Sequence, residues 1–245
     1  MIVAARDGWH RRLWAAVPFK GPVGSKRRLS GLLDEAERAR LSLVMLDDVL
    51  DALLAADGVE RVLVLGPGGG ELPSRDARRL TVVAELPEAA AAGGVDSLNA
   101  ALRQAQTAAD DGGADALLIV PADLPLIAAH DVTAILGAGA TASVVIAPDR
   151  AADGTNALLL APPAALTPSF GVASFTRHCM LACEAGLACA AIKRPGLALD
   201  LDTPDDISVL LASAPDCRAV RLLRELGIPQ RLAGLEAAQA RRTTI

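Results

Sequence analysis

Apolar positions return along this chain with two different periods. Short continuous apolar runs bounded by glycine or proline alternate with longer stretches in which apolar residues recur every three or four positions. The first pattern is that of a strand buried on both faces, the second that of an amphipathic helix. Strands are predicted at Leu13 to Pro18, Arg61 to Leu65, Thr81 to Ala84, Ala116 to Val120, Ser143 to Ala147, Ala157 to Leu160 and Cys189 to Lys193. Helices are predicted at Asp34 to Ala56, Ser97 to about Asp111, His130 to Leu136 and Ser174 to Ala185, with Asp34 and Glu37 as a capping box and Ser174 as an N-cap. Terminal helices follow at Cys217 to Leu226 and Leu232 to Ala240, split at Gly227-Ile228-Pro229, with Arg241 to Ile245 as a tail. Alternation of this kind predicts an α/β chain: a three-layer α/β/α sandwich around a mostly parallel, mixed sheet. We read residues 1–245 as one domain, with a core at about 13–212 and a C-terminal helical extension at about 213–245.

The run Ala116 to Val120 lies between Gly112-Gly113 and Pro121 and is expected at the centre of the sheet. Pro121 cannot donate to a ladder, so the strand stops there and Asp123 emerges past its carboxyl end, where open α/β sheets bind ligands. A local turn capped by Asp123 is the alternative. In Leu197 to Asp206, Asp200 and Asp202 share parity and so one face of an extended chain, opposite Leu199 and Leu201. Thr203 and Pro204 then open a helix whose first turn accounts for Asp205 and Asp206. Asp200 and Asp202 have no such structural reason.

The segment Phe19 to Ser30 is a loop of glycine, proline and cations, Lys20, Lys26, Arg27 and Arg28, with the charge to hold a polyphosphate. It does not fit the G-x-x-x-x-G-K-[ST] frame. Gly66-Pro67-Gly68-Gly69-Gly70 is not a dinucleotide fingerprint either, because Glu71 stands where glycine is needed and Pro73 interrupts the helix. Two separated carboxylates beside such a loop are how proteins hold Mg²⁺ on a nucleotide.

Composition narrows the partners. The 245 residues are 52% hydrophobic, carry a net charge of −5 and include 2% aromatics with no tyrosine, which argues against a nucleic-acid binder. No apolar run reaches the length of a membrane span, and the amino terminus is charged where a signal peptide would be apolar, so a cytoplasmic protein is expected. The four cysteines lack zinc-knuckle spacing. Cys179 and Cys183, with His178 beside them, stand at helical i, i+4 positions, but no cysteine is assigned as a ligand.

Six segments in order, VPFKGPVGSKRRLS (Val17 to Ser30), SLNAAL (Ser97 to Leu102), PADLP (Pro121 to Pro125), DGTNALLL (Asp153 to Leu160), FGVASFTRH (Phe170 to His178) and DLDTPDD (Asp200 to Asp206), resemble the CofC/FbiD guanylyltransferases of coenzyme F-420 biosynthesis. The likeness spans roughly Leu13 to Ala212. It implies a GT-A-like nucleotidyltransferase fold, GTP and Mg²⁺ as partners, and attack of an acceptor phosphate on the α-phosphorus with loss of pyrophosphate. By the same resemblance, Asp123 and Asp200 are the metal carboxylates. Lys20, Ser25, Lys26 and Arg28 form the triphosphate loop, with Lys20, Lys26 and Arg28 supplying the catalytic charge. Asn99 falls at the nucleotide, and Thr155, Gly171 and Ser174 at the acceptor. Ser25 and Arg27 depart from the usual A-K-T-R-L of that loop. The acceptor implied is 3-phospho-D-glycerate, phosphoenolpyruvate or 2-phospho-L-lactate, and the alanine-rich composition tilts the expectation to the first. A sugar- or pterin-type nucleotidyltransferase and a non-catalytic nucleotide-binding module are the other readings. The apolar terminal helices call for a surface to cover them, either a homodimer partner or the chain's own sheet.

Overall fold

Sequential strands here feed helices that fold back across the sheet, as the two periods require. The computed structural model describes residues 12–22, 24–66, 78–84, 94–213 and 216–243. The glycine run beyond Gly66, Glu71, Pro73 and the amino-terminal segment lie outside them. Seven strands, β1 (Leu13–Pro18), β2 (Val59–Gly66), β3 (Leu80–Ala84), β4 (Ala116–Ile119), β5 (Val144–Pro148), β6 (Thr155–Leu160) and β7 (Cys189–Ala191), form one sheet in the order β3-β2-β1-β4-β6-β5-β7. β4 is the middle strand, as its uninterrupted apolar run predicts. All pairings are parallel except those of β6, which runs antiparallel to both β4 and β5.

That reversal positions the site. Ile119 of β4 lies opposite Leu158 of β6, so the amino end of β6, Thr155 and Asn156, meets the carboxyl ends of β1 and β4 at one sheet edge. Helices α1 (Glu35–Ala55) and α3 (Ala129–Gly139) cover one face. Helices α2 (Gly94–Asp111) and α4 (Ser174–Glu184) cover the other. β1 shows why both faces close: Leu13, Ala15 and Val17 enter one core cluster, and Trp14 and Ala16 the other. The capping box of α1 forms as predicted, with Asp34 Oδ1 accepting from Glu37 N–H at 2.8 Å and Glu37 Oε2 from Asp34 N–H at 2.9 Å.

The carboxyl-terminal part adds α5 (Pro195–Ala198), α6 (Pro204–Ser213), α7 (Arg218–Glu225) and α8 (Ile228–Thr243). Here two expectations change. α8 begins at Ile228, because Pro229 fits in the first turn, where its missing N–H leaves no bond unmade, and it continues through Arg241 to Thr243 of the expected tail. The apolar faces of α7 and α8 pack within the chain, where Val220, Leu223, Ile228 and Leu232 join Leu29, Leu33 and Met45 in a third cluster. The reason for expecting a homodimer is thereby met internally. The acidic side chains of α1 are engaged as well: Arg218 of α7 donates to Asp48 Oδ1 at 2.9 Å and pairs with Asp51. No helix among the described residues is long and apolar enough to cross a membrane.

Candidate active site

β1 and β2 set the start of the cationic loop. Phe19 N–H donates to Leu65 O at 2.7 Å, and a side chain at Gly66 would run into the Phe19 carbonyl. The loop then rises over the carboxyl end of β4. Within it Ser25 Oγ donates to Pro22 O at 2.7 Å and lies 2.7 Å from the buried Ser42 hydroxyl of α1, which must then donate to it. Lys26 follows in a left-handed conformation, φ 51°, that turns its side chain inward.

There it meets the two sequence-distant acids. Lys26 Nζ lies 2.6 Å from Asp123 Oδ2 and 2.7 Å from Asp202 Oδ1, and its side chain is 10% exposed. Burial acts to lower the Lys26 pKa, but the charges and hydrogen bonds of Asp123 and Asp202 outweigh it and hold the amine above its ordinary value. Asp200 and Asp202 reach Asp123 because Leu201 N–H donates to Asp123 O at 3.1 Å, while Leu199 and Leu201 are buried on the opposite side. The parity reading of this segment is therefore what the chain does. Thr203 caps α6, accepting from Asp206 N–H at 3.3 Å, and Asp206 Oδ2 in turn accepts from Thr203 N–H at 2.8 Å.

The three carboxylates differ. Burial pushes the Asp202 carboxyl up, but the charge and hydrogen bond of Lys26, with Arg28 at 3.8 Å, bring it below the usual range. Among the described residues Asp200 has no cationic partner. Burial first, then the charge of Asp123, raises its pKa, against the opposing pull of an amide hydrogen from Asn156 at 3.3 Å and of a backbone hydrogen bond. Asp123 Oδ1 is buried and has no hydrogen-bond partner among the described residues. An unpaired carboxylate oxygen next to a carboxylate strained by burial and like charge is a donor set short of positive charge, and a hard dication fits it. Among the described residues no three His, Cys, Asp or Glu side chains converge on one ion position. A Mg²⁺ here would thus take protein ligands from Asp123 and Asp200 and its remainder from phosphate and water.

Beside Lys26 and Asp123 opens a cavity of about 230 Å³ with Phe19, Met45, Leu98 and Phe170 as apolar walls and Lys20 at its edge. Apolar walls with cations at one end suit a base and its phosphates. Lys20 Nζ donates to Gly94 O at 2.8 Å, and Arg28 is 76% exposed, so both stay at the solvent edge. A larger cavity of about 590 Å³ lies between α1 and α7, lined by Asp48, Asp51, Cys217 and Arg218. Its two arginines are already paired, Arg218 with Asp48 and Asp51 and Arg221 with Asp216, and neither Asp123 nor Asp200 lines it, so it is assigned no chemistry.

Asn99 is not at a helix end, since α2 starts at Gly94. Its amide does not point free at a ligand. It accepts from Phe170 N–H at 2.8 Å and donates to Phe170 O at 3.2 Å, so its connection to the cavity runs through the Phe170 ring. Thr155, Gly171 and Ser174 do come together, with Ser174 Oγ donating to Thr155 Oγ1 at 3.2 Å and Ser174 N–H to Gly171 O at 3.1 Å. Ser174 is the first residue of α4, however, and the N-cap is Ala173 in a left-handed turn, φ 55°, because the Ser174 hydroxyl is turned into the protein. Gly171 has φ 122°, open only to glycine, and a Cβ there would press on Val95 at 3.0 Å. Sequence reasoning missed Asn156, Ser42 and His178. A usable signal existed for His178, which stands four residues after Ser174 and hence on the same helical face.

The family model described as "Guanylyl transferase CofC like" matches residues 13–242. A phosphoenolpyruvate guanylyltransferase of Rubrobacter xylanophilus is 45% identical over 82% of this chain and 94% of its own. A 2-phospho-L-lactate guanylyltransferase of Halorubrum lacusprofundi is 37% identical over 86% and 91% of the two chains. A 3-phospho-D-glycerate guanylyltransferase of Phenylobacterium zucineum is 37% identical over 82% and 90%. A crystal structure of a putative nucleotide-diphospho-sugar transferase from Desulfovibrio desulfuricans superposes with a TM-score of 0.70 at 19% identity, covering 89% of this chain and 97% of that one. That likeness shows the GT-A-like nucleotidyltransferase fold.

Proposed function

Since the chain belongs to the CofC-like guanylyl transferase family, we propose that it transfers the guanylyl group of GTP to the phosphate of a three-carbon phospho-acid, releasing pyrophosphate, on the route to coenzyme F-420. The observation that carries this reading is Lys26 held between Asp123 and Asp202, with Asp200 alongside, at the mouth of the apolar cavity. An oxygen of the acceptor phosphate attacks the α-phosphorus, the new P–O–P bond forms, and the bond from the α-phosphorus to the β-phosphate oxygen breaks. A phosphate monoester with a second pKa near ~6 is largely dianionic at neutral pH, so this nucleophile needs no activating base. The chain has only to position two anions and neutralise them. Lys20 and Arg28 at the rim attract the triphosphate, Lys26 supplies a buried charge, and the apolar walls take the base. Mg²⁺ held by Asp123 and Asp200 would supply Lewis-acid stabilisation of the phosphoryl oxygens. Thr155, Gly171 and Ser174 would hold the acid.

Among the acceptors, phosphoenolpyruvate is the one to test first, although composition had tilted the expectation to 3-phospho-D-glycerate. Three relatives named for phosphoenolpyruvate stand at 41–45% identity and three more at 36–38%, against 37% for a relative named for 3-phospho-D-glycerate. The sugar-nucleotide reading rests on fold likeness at 19% identity and draws nothing from the site. Pyrophosphate release from GTP, ATP, CTP and UTP with each of the three acids tests the proposal. GTP-dependent release with one acid is the expected result; equal use of ATP, or no release with any acid, defeats it.

A further inference from the structure

The reading above leaves the buried histidine of α4 without a role. His178 of α4 is 0% exposed, and its ring meets the Phe170 ring edge-on with centroids 5.2 Å apart. His178 Nε2 accepts from Ser169 N–H at 2.9 Å, so that nitrogen carries no proton. In a neutral imidazole the proton then sits on Nδ1. Nδ1 is 3.0 Å from Thr155 Oγ1, which makes the hydroxyl oxygen its acceptor. Ser174 Oγ donates to the same oxygen at 3.2 Å. With both lone pairs engaged, Thr155 retains its own hydroxyl hydrogen, and no acceptor among the described residues takes it.

We infer that His178 is a positioning residue for the acceptor: through Ser169 it fixes the loop leading to Ser174, and through Thr155 it turns that hydroxyl into a hydrogen donor for an anion. The inference takes the identity of the anion from the proposed function, but the proton arrangement stands without it. The environment favours the neutral ring, since burial, and then the charge of Arg177, hold the His178 pKa down to about 4. The same loop is secured at other points. Asn99 grips both backbone groups of Phe170, and Arg177 donates to Ser169 O at 3.2 Å and Val172 O at 2.8 Å. His178 differs from these in reaching from the loop to β6, so it sets the direction of a hydroxyl as well as the path of the backbone.

Two measurements on the full chain test it. ¹⁵N spectra of the histidine rings at neutral pH, with His178 identified by its loss in His178→Gln, should show a protonated Nδ1 and a bare Nε2. A protonated Nε2, or an imidazolium, overturns the arrangement. Kinetically, His178→Phe keeps ring volume but removes both nitrogens and should raise the acceptor KM about tenfold, as the loss of one ~1.4 kcal/mol contact does, with the GTP KM within about twofold. His178→Gln, whose amide can still accept from Ser169 N–H, should recover part of the acceptor affinity. Equal rises in both KM values reduce His178 to a packing residue. Should the Phe variant fail to fold, the Gln variant and the wild-type tautomer decide. If no acid is turned over at all, the functional reading fails while the tautomer measurement still judges the hydrogen-bond arrangement.

Discussion

Replacing Lys26 by methionine keeps the stem that packs in the loop and deletes the charge lodged between Asp123 and Asp202. Removing one partner of a buried ion pair costs about 3–5 kcal/mol when both groups are sequestered. Here Lys26 is 10% exposed and Asp123 26%, but Asp202 is 41% exposed, so its share is screened to a surface-pair value below about 1 kcal/mol. A net loss of about 2–3 kcal/mol at neutral pH follows, which for a chain of this size is a fall in Tm of roughly 5–10 °C. The sign with pH is fixed by the carboxylates. Asp202 is held below its unfolded pKa, so the stability it contributes is present above that value, near ~3.9, and disappears as pH falls through its folded pKa. Lys26 is raised above its ordinary pKa, so its charge persists until pH rises through its folded value, above ~10.4. The gap between wild type and Lys26→Met should therefore be full at pH 7 and close below about pH 4. Mg²⁺ should narrow it at pH 7, because the variant frees Asp123 Oδ2 as well as the already unpaired Oδ1 and so binds the ion more tightly than wild type does. At ten times its Kd, an ion that binds only the folded state adds about 1.4 kcal/mol. Thermal unfolding of both proteins at pH 7 and at about pH 2, below the folded value of Asp202, with and without Mg²⁺, reads all of this. An equal Tm loss at both pH values, together with an equal Mg²⁺ shift in both proteins, would refute the reasoning.

Asp123→Asn and Asp200→Asn should each lower guanylyl transfer by about 10²-fold or more while the fold persists. Because the Asp200 carboxyl is raised, its ionised form costs stability above its unfolded pKa; Asp200→Asn should therefore melt no lower than wild type at pH 7, and a large loss of Tm would contradict this. Ser174→Ala removes a donor to Thr155 at a cost of about 1 kcal/mol and should raise the acceptor KM more than the GTP KM in steady-state assays; the reverse order would remove Ser174 from the acceptor side. Gly66→Ala forces its methyl against the Phe19 carbonyl and should cost about 3 kcal/mol, a Tm fall of roughly 6–12 °C, with GTP affinity reduced because the cationic loop starts there.

The sheet and its helices were legible because their signals are local. An uninterrupted apolar run announced β4 as central, and Asp34 with Glu37 announced the start of α1. The parity of Asp200 and Asp202 was legible for the same reason. What the sequence could not carry were pairings across long separations. Lys26 is 176 residues from Asp202 and 97 from Asp123, and only the fold shows that a cation of the phosphate loop lies between them. Resemblance placed Asn99 at the nucleotide, but its partner, the backbone of Phe170, has no side-chain signature. Ser174 looked like a cap because serine at a helix start usually is one. Its hydroxyl instead turns inward to Thr155, which allows Ala173 to take the left-handed turn in its place. The terminal helices advertised an apolar face without saying what covers it, and α1 with the loop from Leu29 to Leu33 does so.

The central claim is that an acceptor phosphate displaces pyrophosphate at the α-phosphorus of GTP, and isotope position tests it most directly. Purified protein would be incubated with GTP, Mg²⁺ and phosphoenolpyruvate whose non-bridging phosphate oxygens carry ¹⁸O, and then with the two other acids labelled likewise. Mass spectrometry of the products should find the whole label in a guanylylated diphosphate and none in pyrophosphate. Label in pyrophosphate, or free GMP in place of a labelled diphosphate with every acid, would contradict the account.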